Sequence, residues 1–240
     1  MHKLSNRMLM NVGMIPRGLS VADIGCDHGF VSIYLIENGL AEHVIAMDVA
    51  PGPLERATNN IAEAGLSEKI EIRLSDGVKK LNLDEDGRLE TRVLLMSGIG
   101  GHLAVKLVTD GLEKCKKADY IVLQPQSDLD FVRSQMSMLG FVLEAEDMVF
   151  EDGKYYTSMR YICMTNDTGE CFSETELKYG PVLIKEKNKV LIDYLNYKKE
   201  KFDDIYHKIS LKNETDNSER LKEVEHEIDI INQCLKIIEL

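Results

Sequence analysis

Residues 21–30 read VADIGCDHGF, a short apolar run that ends in Asp23-Ile24-Gly25-Cys26-Asp27-His28-Gly29 and opens into a helical pattern. A strand feeding a glycine-bearing loop at a helix N-terminus lets backbone approach a ligand closely, because glycine has no Cβ and tolerates positive φ. The acidic residues decide which ligand. A pyrophosphate cradle needs free backbone N–H groups in a G-x-G-x-x-G turn, whereas Asp23 and Asp27 repel phosphates and suit a ligand that carries positive charge. S-adenosyl-L-methionine, with an ammonium and a sulfonium, is such a ligand. The competing reading is an ordinary strand-to-helix connection with Asp27 as the helix N-cap.

Outward from this turn, residues 19–124 alternate short β-branched or apolar runs with amphipathic stretches, the pattern of a parallel sheet covered by helices. Strands are predicted over 19–24, 43–48, 69–74, 92–97 and 119–124, and helices over 28–38, 51–64, 100–114 and 127–139. Pro51 and Pro53 suit the first turn of the second helix and Gly65 its C-terminal cap. Two further strand-like runs, 141–151 and 155–163, flank Asp152-Gly153, a strong hairpin signal, and complete a doubly wound, mostly parallel sheet of seven strands. Residues 3–14 read as a short helix with Leu4, Met8 and Leu9 on one face, packed over the ligand-binding end.

After a polar stretch at 165–170, helix formers dominate. Leu191, Leu195, Phe202, Ile205 and Ile209, and then Leu221, Val224, Ile228, Ile231, Leu235 and Ile238, follow heptad spacing. Joined by the polar segment 212–218, they predict an antiparallel coiled-coil hairpin, or two helices packed on the sheet domain. The expected domains are residues 1–165 and 166–240.

Four more loops fall at the carboxyl edge of the predicted sheet, where such folds bind ligands. Asp48 ends the second strand at the spacing from Gly25 expected of a carboxylate that grips a ribose. Asp76-Gly77 follows the third strand, placing a carboxylate to accept from an exocyclic adenine amine. Ser97-Gly98-Ile99-Gly100-Gly101-His102 follows the fourth, and its glycines permit close approach of a flat substrate; Gln124-Pro125-Gln126 forms another wall.

Composition narrows the class. Five cysteines without a C-x-x-C pair suggest neither a disulfide framework nor a metal site and fit a reducing, cytoplasmic location. No apolar stretch is long enough to span a bilayer, so no membrane partner is expected. A net charge of −12 argues by itself against a polyanionic partner, although residues 185–212 carry eight lysines against five acids.

Taken together, Leu4-Ser5-Asn6-Arg7, Ala22-Asp23-Ile24-Gly25-Cys26-Asp27-His28, Asp76-Gly77, Gly98-Ile99-Gly100-Gly101, Leu123-Gln124-Pro125, Glu151-Asp152-Gly153-Lys154 with Tyr156, and Gly180-Pro181 with Lys185-Glu186-Lys187-Asn188 resemble the bacterial tRNA (adenine-N1)-methyltransferases of the TrmK type. The resemblance runs nearly end to end. It implies a class I methyltransferase (Rossmann-like) sheet, S-adenosyl-L-methionine as donor, adenine 22 of tRNA as target, and a C-terminal coiled-coil domain that helps hold the tRNA. Cys26 stands where a serine is frequent, and Gly29-Phe30-Val31-Ser32 where an aromatic followed by proline is frequent, which bears on pocket shape.

The candidate cofactor contacts are Arg7, Asp23, Gly25, Asp27, Asp48, Asp76, Gly77, Ser97, Gly98, Ile99 and Gly100, with Arg7 on the donor carboxylate or a phosphate. Asp27 is the candidate catalytic carboxylate beside the exocyclic amine, with His28 as a second contact. Lys185, Lys187 and Lys189 are the candidate tRNA phosphate contacts, and a solvated helix face is the alternative reading of them. Tyr155 and Tyr156 read as sheet-face packing or as base-stacking residues. A monomer without metal is expected. Two other functions remain open: a binding module for RNA or protein that keeps the fold, and a methyltransferase of a small molecule or protein.

Overall fold

The computed structural model describes residues 3–163, 171–211 and 218–239. The predicted linker at 165–170 and nearly all of the 212–218 turn lie outside these residues. The chain divides into two compact units, Met1–Glu170 and Cys171–Leu240.

The first unit is built on a seven-stranded sheet. Its strands are β1 (Leu19–Ile24), β2 (Ala41–Asp48), β3 (Ile70–Leu74), β4 (Val93–Ile99), β5 (Tyr120–Pro125), β6 (Phe141–Glu151) and β7 (Lys154–Cys163), in the order β3-β2-β1-β4-β5-β7-β6. The pairs from β3 through β5 are parallel, and β7 runs antiparallel to both β5 and β6. Val21 and Ala22, Val44 to Met47, Val93 to Met96 and Ile121 to Leu123 are all buried. Continuous apolar runs mark strands covered on both faces. The Asp152-Gly153 turn has positive φ at both positions, 49° and 77°, the condition for a two-residue hairpin that follows the strand twist.

The helices of this unit are α1 (Asn6–Gly13), α2 (Phe30–Glu37), α3 (Pro51–Glu63), α4 (Gly101–Asp110), α5 (Leu112–Cys115) and α6 (Leu129–Met138). The predicted 100–114 helix is broken at Gly111, where a Cβ would stand 2.0 Å from Cγ2 of Val78. Leu4, just before α1, is buried and Met8 packs on the core, but Leu9 is exposed, so the predicted apolar face forms only in part; Met10, Asn11 and Val12 complete the inward side. Ser5 caps α1 at the amide of Met8, and Glu151 at the end of β6 accepts from the amide of Asn6 at 2.6 Å.

A bulge changes what faces the core on β6. Leu143 pairs with Tyr161 and Ala145 with Arg160, leaving Glu144 as the extra residue. Phe141 and Leu143 are buried before it, Glu146 and Met148 after it, because one inserted residue exchanges the faces of a strand. Glu146 thereby enters the core, where its Oε1 accepts from Nε and Nη2 of Arg133 on α6 at 2.8 Å each.

The second unit holds α7 (Glu174–Tyr179), α8 (Pro181–Lys185), α9 (Lys189–Ser210) and α10 (Ser218–Glu239). Ser173 and Glu176 form a capping box on α7, and Asn188 caps α9. The heptad reading holds in part. In α10, Val224, Ile231 and Ile238 are buried, but Ile230 and Cys234 complete the stripe in place of Ile228 and Leu235. In α9 only Leu191 and Leu195 are buried, and Phe202, Ile205 and Ile209 are half-buried. Below those first turns α9 faces α10 across a groove lined by Lys198, Phe202, Ile205, Val224 and Glu227, which strict heptad packing would have closed.

Candidate active site

The parallel register brings the carboxyl ends of four strands to one edge. Ile24 lies beside Met47 and Met96, and Asp48 beside Leu74. The chain leaves the sheet there through short loops, which surround a cavity of about 430 Å³. Asp23, Gly25, Cys26 and Asp27 line it around the end of β1, Asp48 and Val49 at the end of β2, Ser75, Asp76 and Gly77 after β3, and Ser97, Gly98 and Ile99 at the end of β4. Arg7 and Met8 of α1, Leu103 and Leu107 of α4, and Gln126 close the rest.

The first loop is built against phosphate. The amides of both Gly25 and Cys26 donate to the Met47 carbonyl, at 2.8 and 2.9 Å, so they turn away from the cavity. The chain then alternates through positive φ at Gly25 (82°), Asp27 (48°) and Gly29 (72°). Gly29 is the N-cap of α2 and makes no side-chain cap, so the N-cap reading of Asp27 does not hold. Aspartate tolerates the left-handed region better than most residues, at a cost that persists where the surroundings fix it. A Cβ on Gly25 would meet nothing within 4 Å, which leaves open space above the loop.

Asp23 is the buried charge of the site. It is 4% exposed, accepts from the Ser32 hydroxyl at 2.6 Å, and has its carboxyl pushed up to about 6 by burial, with the Asp48 charge adding to the shift and Ser32 opposing it. Near neutral pH it is mostly ionised, and no cation of the described residues pairs with it. Such a group needs a positive partner from outside. Burial, with Asp23 and Asp48 adding to it, also pushes the Cys26 thiol well up, so Cys26 is a neutral wall residue.

Asp48 accepts the Ala50 amide on Oδ1 at 3.0 Å, fixing the carboxylate at the strand end. Asp76 pairs with Lys79, whose hydrogen bond and charge hold its carboxyl below the usual range. Ser97 accepts from Nδ2 of Asn11 at 2.7 Å, tying α1 to β4. At Gly98 the φ of 74° admits glycine, and its amide donates to Oε1 of the buried Gln124. β4 continues two residues beyond its predicted end, so Gly98 and Ile99 belong to the strand, and Gly100 is the N-cap of α4. Gly101 is required by contact: a Cβ there would stand 2.4 Å from the Ser127 carbonyl oxygen.

Most predicted cofactor residues therefore meet at one cavity, and among the predicted cofactor and catalytic residues two depart from it. Gly100 is not among the lining residues. Nor is His28, whose ring stacks on Phe30 at 5.5 Å while Nε2 lies 3.7 Å from Oδ1 of Asp27. Asp27 itself has a side chain 65% exposed, with Nη2 of Arg56 at 3.4 Å. The Arg7 guanidinium lies 5.2 Å from the centre of the Tyr156 ring, and its charge, with the Asn6 and Arg7 amides, helps hold the Glu151 carboxyl below the usual range. Tyr155 meets Phe150 at 4.6 Å. Lys185, Lys187 and Lys189 are all exposed: Lys185 ends α8, Lys187 lies in the turn at φ 52°, and Lys189 opens α9.

Reading by spacing missed Val49, Leu103 and Leu107, while Gln126 lines the cavity as the predicted wall. Val49 directly follows the ribose-type carboxylate, and Leu103 and Leu107 share a face of α4 at i, i+4. Among the described residues there is no cluster of metal-ligating side chains, and no helix is long and apolar enough to cross a membrane.

A family model, TrmK: tRNA (adenine(22)-N(1))-methyltransferase, matches residues 21–233. The chain belongs to this family. Among TrmK relatives, the tRNA (adenine(22)-N(1))-methyltransferase of Bacillus subtilis is 27% identical over 238 residues, 97% of each chain. The crystal structure of the B. subtilis TrmK enzyme superposes with a TM-score of 0.78 at 26% identity, covering 97% of this chain and 98% of that one. A Streptococcus pneumoniae protein in complex with S-adenosyl-L-methionine superposes with a TM-score of 0.82 at 26% identity, covering 97% of this chain and all of that one.

Proposed function

We propose that this chain transfers the methyl group of S-adenosyl-L-methionine to N1 of adenine 22 in tRNA. The observation that carries the donor assignment is the cavity floor: a buried, unpaired Asp23 carboxylate beneath a loop whose amides are spent on Met47. That combination rejects a phosphate and attracts an ammonium. The substrate follows from membership of the TrmK family.

When bound, S-adenosyl-L-methionine supplies an electrophilic methyl group on a sulfonium. Asp23 would hold the ammonium, the Arg7 guanidinium would hold the carboxylate, and Asp48 would accept from the ribose hydroxyls. Asp76 accepts from the adenine amine of the cofactor, between the close approaches allowed at Gly25, Gly77 and Gly98. Ser97, Ile99 and Gly100 shape the methionine end, Gly100 through the start of α4. Adenine N1 carries a lone pair and needs placement more than a strong base. Asp27, at the cavity rim, accepts an exocyclic N–H of the target adenine and stabilises the positive charge that develops in the ring. His28, one step back, positions the Asp27 carboxylate. The adenine reaches the site by leaving its stack. Lys185, Lys187 and Lys189 contact tRNA phosphates, and the enzyme works as a cytoplasmic monomer with residues 171–240 helping to hold the tRNA.

Labelled methyl transfer to bulk bacterial tRNA, followed by nucleoside analysis, tests this reading. N1-methyladenosine is expected; donor binding without it overturns the tRNA substrate. Asp27→Asn keeps a residue that tolerates positive φ and removes only the charge. It is expected to lower kcat roughly 10- to 50-fold while donor affinity changes less than about threefold, measured by single-turnover transfer and calorimetry; an unchanged kcat removes Asp27 from the chemistry. Replacing Lys185, Lys187 and Lys189 together with Ala is expected to flatten the dependence of log Kd on log salt by up to about 2 to 3 in slope. An unchanged slope in filter binding moves the phosphate contacts elsewhere.

A further inference from the structure

Two glutamines stand two residues apart at the end of β5, and their environments separate them. Gln124 is fully buried; its Oε1 accepts the Gly98 amide at 3.1 Å and its Nε2 donates to the Pro125 carbonyl at 3.3 Å. Its carboxamide is committed to the fold. Gln126 is exposed, lines the cavity, and no hydrogen bond of the described residues involves its side chain. Its backbone is nonetheless fixed, because its amide donates to the Ile99 carbonyl at 2.8 Å. Nε2 of Gln126 and Nη1 of Arg7 each lie 3.6 Å from where a Cβ of Gly98 would stand. A free carboxamide on a fixed loop thus reaches over a strand end kept bare by glycine.

We infer that Gln126 is a specificity residue that reads the N6/N7 edge of the target adenine; the inference rests on the methyltransferase reading above. A base attacked through N1 presents its N1 lone pair to the methyl donor, so recognition must come from an edge that leaves N1 open. The N6/N7 edge does so, and a glutamine carboxamide matches it, Oε1 accepting from N6–H and Nε2 donating to N7. The exocyclic amine has two hydrogens. Asp27 takes the one on the N1 side and Gln126 the one on the N7 side. A guanine offers O6 and N7, two acceptors, and sets O6 against Oε1 of Gln126, so the same contact rejects it. Alkylation at N1 makes the ring cationic and the amine a stronger donor, so the bond to Oε1 tightens in the transition state.

The test compares tRNA transcripts carrying adenosine or 7-deazaadenosine at the target position, where the analogue replaces the N7 acceptor with C–H. Wild type, Gln126→Leu and Gln126→Glu are assayed for kcat/KM, and donor affinity is measured for each to show an intact cofactor site. The intrinsic reactivity of the analogue cancels when its effect is compared between proteins. Wild type is expected to discriminate against the analogue about tenfold more than Gln126→Leu does. Gln126→Glu, which keeps the acceptor for N6–H and loses the donor to N7, is expected to show the same loss of discrimination with a smaller fall on adenosine. Equal discrimination by all three proteins overturns the role of Gln126 while leaving the proposed activity standing. Absence of transfer to adenosine by wild type overturns both.

Discussion

Asp23→Asn is expected to weaken S-adenosyl-L-methionine binding about 100-fold near neutral pH and to make the ligand-free protein more stable. The two effects share one cause. Burial raises the Asp23 carboxyl from 3.8 to about 6, so the folded protein binds this proton more tightly than the unfolded chain. The stability from the neutral carboxyl is complete below about pH 4 and is lost as pH rises through about 6. Above that, the ionised group costs on the order of 3 kcal/mol, of which the amide should recover about 1 to 2, since its own N–H groups need acceptors. Urea denaturation at neutral and acid pH is expected to show the variant more stable at the first and level with wild type at the second. Calorimetry is expected to show wild-type donor affinity falling as pH drops through about 6, and the variant flat. A variant less stable than wild type at neutral pH, with unchanged donor affinity, would mean that Asp23 is a structural carboxylate.

Arg133→Met is expected to cost about 3 to 5 kcal/mol of stability, because it leaves Glu146 buried without its cation. Arg133 is 1% exposed and packs from α6 onto β6. The double variant Arg133→Met with Glu146→Leu removes both charges and keeps comparable volume, so it is expected to lie within about 2 kcal/mol of wild type. Donor affinity should be unchanged in any variant that folds, since neither residue lines the cavity. A double variant no more stable than the single one would show that the pair holds α6 by specific geometry and not by charge balance.

The strands and the site at their carboxyl edge were legible because buried parallel strands write themselves as apolar runs, Val44 to Met47 and Val93 to Met96 among them. The acid-rich loop was legible for a related reason: Asp23 and Asp27 are the wrong residues for a phosphate. What escaped depends on contacts distant in sequence. Arg133 reads as a solvent residue until the bulge at Glu144 turns Glu146 inward to meet it. The N-cap reading of Asp27 failed because Gly25 and Cys26 pair with Met47 across the sheet, which sets the turn and leaves Gly29 to open α2. His28 next to Asp27 in sequence looked like a second contact, but alternating φ turns it onto Phe30. Arg7 reached the cavity only through resemblance, since no local pattern shows that Glu151 caps α1 and carries it there. Gln126 was seen as a wall, and only the buried partners of Gln124 mark it as the free one of the pair.

The assignment of N1 of adenine 22 meets its most direct test on two unmodified tRNA transcripts that differ only at position 22, adenine in one and guanine in the other. Each is incubated with the protein and S-adenosyl-L-methionine and then copied by reverse transcriptase, which stops where an N1-methyl group blocks pairing. The expected result is a new stop at position 22 of the adenine transcript alone, with N1-methyladenosine recovered from it. Methylation of both transcripts, or a stop at any other adenine, would contradict it.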